Sequence, residues 1–205
     1  MVRVLSVLLG FLALGAALAG GWNPLPIRAG YVGGATLVLA ALAARWYWRE
    51  RQVSGDDPGA AERHAWLCMV GTALICGFVG VVLMTPGSEI HRSVGDTGGV
   101  DSWTMFAGGL IAWGVLYDRN AVSDERDRAI DAHAQKVGYA ALVMLLLVLL
   151  LALGFAPKHA MARFTHWLIA NTLLMLIMVA ALIQYAAQLL GYARSALQLD
   201  RGADA

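Results

Sequence analysis

The chain has 205 residues, of which 59% are hydrophobic and 14% charged, and its formal net charge at neutral pH is +1. In soluble domains about a quarter of the residues are charged. A domain of this size cannot hide so much apolar surface from water. The composition therefore excludes an ordinary water-soluble fold and makes the lipid bilayer the expected surroundings. A nearly neutral chain without a long basic run is also not expected to bind nucleic acid directly.

Six stretches of the chain are apolar enough for membrane-spanning helices, which need about 17–25 mainly apolar residues. They cover residues 4–22, 29–46, 65–84, 103–117, 138–155 and 164–190. The fourth stretch is short, and the sixth is long enough to continue as a helix beyond the hydrocarbon. The predicted fold class is therefore all-α, a single polytopic membrane helical bundle with six transmembrane helices.

The first apolar stretch fits a second interpretation. Residues 1–3 form a short basic start, residues 4–16 are apolar, and Ala17, Leu18 and Ala19 resemble the small-residue cleavage site of a secretory signal peptide. Cleavage would remove residues 1–19 and leave five transmembrane helices. We favour retention, because multi-pass proteins commonly keep such a helix as an anchor.

Arginine and lysine are distributed unevenly among the connecting segments. Segments 45–63 and 118–136 carry four each, and the C-terminus adds Arg194 and Arg201, whereas the alternate segments carry one or two. Connections rich in arginine and lysine stay on the cytoplasmic face of a membrane. The pattern predicts a bacterial inner-membrane protein with both segments and both termini in the cytoplasm.

The two arginine-rich segments also resemble each other. At an offset of 69 residues (122 minus 53), Val53-Ser54 aligns with Val122-Ser123, and His64-Ala65 aligns with His133-Ala134. The similarity indicates either a repeated helix–loop–helix unit, as in some transporter folds, or a chance likeness between two loops. Each segment is expected to begin a helix before the membrane, with Asp57 and Ser123 as N-caps.

Polar side chains are scarce inside the predicted spans. No Asp, Glu, Lys or His falls within spans two to five, and the intramembrane polar residues of span six are His166, Asn171, Gln184 and Gln188. Ion-coupled transporters usually keep a charged group at depth, so this scarcity counts against that mechanism. We expect the asparagine and glutamines to serve as hydrogen-bond partners between helices.

The sequence contains no recognisable catalytic motif, and we expect neither an enzyme nor a cofactor. His91, His159 and His166 are candidate ligands for a metal ion, but we favour their interpretation as unrelated interfacial histidines. Cys68 and Cys76 are about 12 Å apart along one helix, too far for a disulfide, and are expected to be small apolar residues. Gly30 and Gly34 suit close helix packing, within the chain or in a homo-oligomer.

Residues 124–130, with the sequence DERDRAI, stand between two spans. Over residues 115–155, which include this stretch, the chain resembles small uncharacterised bacterial multi-pass membrane proteins that have a DERxxxI-type cytoplasmic loop. The resemblance implies a partnership with small helix-turn-helix regulators. Segment 45–63, with Gly55-Asp56-Asp57-Pro58 at its centre, does not keep this motif.

Two functions follow as predictions. The first is a non-enzymatic protein whose cytoplasmic charged segments dock a protein partner, anchoring or inhibiting a regulator. The docking candidates are Asp124, Glu125, Arg126, Arg128 and Asp131. The alternative is a small permease or a membrane component of an export system, motivated by the near-repeat and by the polar groups of span six.

Overall fold

A computed structural model describes residues 2–19, 27–54, 59–85, 100–116, 124–157, 161 and 165–203. Over these residues the chain is all-α, without strands, and confirms the predicted fold class. Six helices follow one another: α1 (Val2–Ala19), α2 (Ala29–Ser54), α3 (Ala60–Met84), α4 (Val100–Leu116), α5 (Glu125–Phe155) and α6 (His166–Ala203). Five are long and apolar enough to cross a membrane, while the apolar part of α4, Trp103–Val115, is shorter.

The outward surface of the bundle is apolar, most clearly along α5. Leu147, Val148, Leu150 and Leu151 are all exposed, Leu150 to 63%. A continuous exposed face of this kind would drive association in water, whereas hydrocarbon solvates it well. The surface therefore supports a chain that lies in a bilayer.

Helices α1 and α3 run parallel and in close contact. The Arg3 guanidinium lies 5.4 Å from the centre of the Trp66 ring near the start of both helices. Further along, Gly15 packs on the backbone of Leu74, and Gly77 packs on the backbone of Leu12. Glycine at these positions lets the two backbones approach as small-residue membrane interfaces do.

Helices α2 and α4 form a second parallel pair. The Gly30 backbone N–H donates to Asp101 Oδ1 over 3.1 Å, and Arg45 Nη1 donates to the Val115 carbonyl over 2.7 Å. Gly34 faces Gly108 between these two points. The spacing of Gly30 and Gly34 thus marks a helix interface within the chain, as predicted for close packing.

Helix α6 runs antiparallel to both α3 and α5 and joins the remaining helices into one bundle. Its residue Met175 contacts Gly80 of α3, and Gln184 contacts Gly138 of α5. Helix α3 lies at the centre, where Ala65, Met69 and Leu74 are fully buried. Helix α5 packs chiefly against α6 and so lies at the edge of the bundle.

The bundle has two distinct ends. We call the end where α1, α3 and α5 begin and α2, α4 and α6 end the basic end. It carries the described parts of segments 45–63 and 118–136, together with Arg3 and Arg194. The helix pairing therefore places both arginine-rich segments at the same end of the molecule, as the alternation of the sequence predicts.

Two helices begin more than one turn before the apolar stretches that predict them. Helix α3 begins at Ala60, with Gly59 as its N-cap, and α5 begins at Glu125, with Asp124 as its N-cap. The predicted caps Asp57 and Ser123 both lie outside the described residues, and the structure assigns the capping to these other residues. Polar residues in the first turns extend both helices beyond their apolar parts.

Candidate functional site

The start of α5 carries the predicted docking residues and is held by a capping box. The Asp127 backbone N–H donates to Asp124 Oδ1 over 2.6 Å, and the Asp124 backbone N–H donates to Asp127 Oδ2 over 3.4 Å. These bonds satisfy backbone donors that have no partner within the helix. Negative charge in the first turn also suits the helix dipole.

The charged first turns of α5 lie along the last turns of α6. The Arg126 guanidinium lies 6.0 Å from the centre of the Tyr192 ring. One turn further, the Ile130 side chain packs so closely on Gly191 that a Cβ there would lie 2.8 Å from Ile130 Cγ2. The two helix ends therefore form one unit at the basic end rather than two separate extensions.

The five docking candidates divide into two groups. Asp124, Glu125, Arg126 and Arg128 are exposed, whereas Asp131 is half-buried. Asp131 Oδ2 accepts a hydrogen bond from Gln135 Nε2 over 2.8 Å, and its carboxylate interacts electrostatically with His64 and Tyr185. The first four can meet a partner, while Asp131 faces the other helices.

The three candidate metal ligands can be followed only at His166. It is the exposed first residue of α6, while His91 and His159 lie outside the described residues. Over the described ranges, no three side chains of His, Cys, Asp or Glu come together as a metal site would require.

The polar residues of span six take different positions. Asn171 is 2% exposed, and its Nδ2 donates to the Trp167 carbonyl over 2.9 Å within the same helix. Its Oδ1 has no hydrogen-bond partner among the described residues. Gln184 contacts α5 at Gly138, and Gln188 is buried. Asn171 thus bonds within α6, whereas Gln184 lies at the interface between helices that was predicted for these residues.

A polar cluster near the basic end was not predicted from the sequence. Cys68 Sγ lies 3.4 Å from His64 Nε2 one turn earlier on α3. The Tyr185 hydroxyl of α6 lies within hydrogen-bonding range of the same thiol. Asp131 of α5 adds a carboxylate nearby, so three helices contribute to this cluster. The four-residue spacing of His64 and Cys68 is the signal that could have indicated it.

Three members of the cluster, His64, Cys68 and Tyr185, line one end of a cavity of about 220 Å³ between α2, α3, α4 and α6. Beyond His64, Cys68 and Tyr185 the lining is almost entirely apolar. A largely apolar cavity with a few converging polar groups is the usual form of a small-molecule site.

Comparison with known proteins does not place the chain in a family. No family model, no curated protein and no solved structure matches it. Two regions of the structure therefore point to a function. They are the capped start of α5 and the cavity beside Cys68.

Proposed function

We propose that the chain is a non-enzymatic, multi-pass protein of the bacterial inner membrane, whose charged helix start at α5 docks a cytoplasmic protein partner. The partner we expect is a regulator that the protein holds at the membrane or inhibits. The observation that carries the proposal is the capped start of α5 packed along the end of α6 at the basic end, where both helices would project from the bilayer.

Helix length supports this projection. Helix α5 has 31 residues and α6 has 38. At 1.5 Å per residue they are about 46 Å and 57 Å long, whereas the hydrocarbon core of a bilayer is about 30 Å thick. The apolar part of α5 begins near Gly138, so roughly three turns before it extend past the hydrocarbon.

The chemistry of the projection favours a protein as the docking partner. Exposed charges of both signs alternate over its first turn, with Asp124 and Glu125 beside Arg126 and Arg128. Such a surface pairs with complementary charges and fixes orientation, and its capped helix loses little conformational entropy on binding. A purely basic patch would instead suit anionic lipid.

The arginine bias supports the orientation. Arg3, Arg45, Arg49 and Arg194 stand at the same end of the bundle as Arg126. Positive charge retained on the cytoplasmic side would place this end, and with it both termini, in the cytoplasm. The docking surface would then face cytoplasmic proteins.

Paired charge exchange provides the test. Glu125→Arg combined with Arg128→Glu exchanges the charges at these two positions and leaves the net charge unchanged. Arg49→Glu combined with Glu50→Arg is the matched control, because both residues are exposed at the basic end of α2. Affinity capture from detergent-solubilised membranes, with partners identified by mass spectrometry, should lose a specific partner only with the first pair. Equal recovery of every partner by both variants would refute the docking proposal.

The alternative function, a small permease or export component, is supported by the cavity between α2, α3, α4 and α6. Such a cavity could admit an apolar substrate from within the bilayer. Substrate flux across proteoliposomes that contain only this chain would establish it. Partner loss with the α5 variant, together with no flux across a broad panel of apolar substrates, would favour docking.

A further inference from the structure

The cavity beside α3 is elongated along the bundle. On α3 its lining extends from His64 to Ile75, a rise of about 16 Å at 1.5 Å per residue. On α4 it extends from Phe106 to Trp113, and Leu37 and Met178 close it from α2 and α6. A volume of about 220 Å³ spread over this length is that of a narrow, elongated cavity, which we call the channel. Its shape suits a linear chain better than a bulky ring system.

One end of the channel is polar and the rest is apolar. His64, Cys68 and Tyr185 provide an imidazole, a thiol and a phenol, and the Cys68 Sγ to His64 Nε2 distance is 3.4 Å. These groups can donate and accept hydrogen bonds at one small head group. Thr72 is also polar, but its position on α3 places it within the apolar length of the channel.

The charges near the polar end restrict what the head group can be. Among the described residues that line the channel there is no lysine or arginine, and the Asp131 carboxylate interacts with His64 and Tyr185. An anionic head would therefore face a carboxylate without a compensating cation, which is unfavourable in a low-dielectric site. An uncharged head that exchanges hydrogen bonds, such as a hydroxyl or an amide, satisfies the same groups without this penalty.

The channel is reached from the side of the bundle. Leu110 and Trp113 line it while 56% and 47% exposed, so the α4 wall meets the surface there. This surface belongs to the apolar part of α4, Trp103–Val115. A molecule dissolved in the hydrocarbon can enter along this wall without crossing water.

We propose that this channel binds one uncharged single-chain amphiphile, with its alkyl tail along α3 and its hydroxyl or amide head at His64, Cys68 and Tyr185. The proposal is independent of partner docking at α5. The apolar length matches the tail, the polar end matches the head, and the lateral opening matches a ligand that comes from the bilayer.

Protection of Cys68 from alkylation measures occupancy without any substitution. Cys68 is half-buried beside the channel, whereas Cys76 is 3% exposed and does not line it, so Cys76 is an internal control. The protein in lipid nanodiscs is treated with N-ethylmaleimide in the presence of 1-dodecanol, dodecanoate or dodecyltrimethylammonium. Modification of each cysteine is followed by peptide mass spectrometry.

We expect 1-dodecanol to slow alkylation of Cys68 about tenfold when its concentration exceeds its Kd about tenfold. Dodecanoate should protect at least several-fold less at the same membrane concentration, and the Cys76 rate should not change. Absence of protection by 1-dodecanol would overturn the proposal. Equal protection by dodecanoate or by dodecyltrimethylammonium would overturn the assignment of an uncharged head.

A channel-filling variant gives a second, direct measurement. Gly71 lines the channel, and a Cβ at Gly71 would meet only Leu37 Cδ2, at the ordinary contact distance of 3.7 Å. Gly71→Leu should therefore occupy the tail site without displacing a backbone. Gly10→Leu is the matched control, because a Cβ at Gly10 meets nothing within 4 Å and Gly10 does not line the channel.

Retention of radiolabelled 1-dodecanol, corrected for empty nanodiscs, should reach about one molecule per chain for the wild type and for Gly10→Leu. Gly71→Leu should reduce it about tenfold or more. Undiminished retention by folded Gly71→Leu would place the ligand elsewhere and overturn the proposal. The protection assay on the wild-type protein decides the matter if Gly71→Leu does not fold.

Discussion

Gly15 of α1 lies against the backbone carbonyl of Leu74 of α3, closer than any residue with a Cβ could approach. A Cβ at Gly15 would also lie only 2.9 Å from the Phe78 backbone nitrogen. Both obstacles are backbone atoms, which cannot move aside as a flexible side chain can. This contact sets the distance between the two parallel helices.

Gly15→Ala is therefore expected to destabilise the protein, by about 1–3 kcal/mol as overpacked cores do. Gly10→Ala, on the same helix but with open space around its Cβ, should leave stability unchanged or slightly higher. Unfolding in sodium dodecyl sulfate, followed by tryptophan fluorescence, compares the two variants. Equal stabilities would show that α1 and α3 are not in this close contact.

The same interface predicts that α1 stays in the mature protein. Removal of residues 1–19 would strip α3 of the helix that covers Gly77 and would remove the Arg3 contact with Trp66. Peptide mass spectrometry of protein purified from membranes should recover peptides from residues 1–19. A mature chain that begins at Gly20 would support the signal-peptide interpretation instead.

The capping box is expected to keep the start of α5, residues 124–128, in a helical conformation. Asp124→Ala removes the acceptor for the Asp127 backbone N–H and should cost about 1 kcal/mol of local helix stability. Amide hydrogen exchange at Asp127 and Arg128, whose backbone N–H groups donate to Asp124, should then accelerate about fivefold, since local opening governs exchange. Asp124→Asn, which keeps an oxygen acceptor, should largely restore protection. Unchanged exchange in Asp124→Ala would mean that the capping box does not hold this helix start.

An apolar substitution at Asn171 is expected to leave the stability of the protein unchanged or to raise it. Its buried Oδ1 lacks a partner among the described residues, and its Nδ2 bonds only within α6. Asn171→Val is closer in volume than Asn171→Leu and removes an unsatisfied polar group, so stability should stay the same or rise by about 1 kcal/mol. Thr172→Val, on the same turn, is a matched loss of an intrahelical bond. A fall of about 2 kcal/mol or more with Asn171→Val would instead reveal a polar partner.

The fold was largely predictable because each apolar stretch must satisfy its own backbone in lipid, and only a helix does so within one segment. The six stretches therefore became six helices, and the alternation of charged segments indicated which ends lie together. The helix starts before the membrane were also predicted, but with Asp57 and Ser123 as caps. The helices begin after Gly59 and Asp124 instead.

The partner of each helix was not predictable. The spacing of Gly30 and Gly34 indicated a close-packing face, but nothing in that spacing names α4 as its partner. The polar cluster was missed for the same reason, because Tyr185 and Asp131 are far from His64 in sequence and reach it only through packing. All five docking candidates were predicted together from one charged segment. Four of them are exposed, whereas the inward position of Asp131 required the structure.

The pairing of α1 with α3 and of α2 with α4 has a consequence for biogenesis. Neither α1 nor α2 has its principal neighbour next to it in the chain, so each emerges from the ribosome before the helix it will contact has been synthesised. A nascent chain halted after α2 would leave the glycine surfaces of both helices facing lipid. Assembly of this protein must therefore wait for translation of α3 and α4. Until then, the interface surfaces of the first two helices stay unpaired in the lipid.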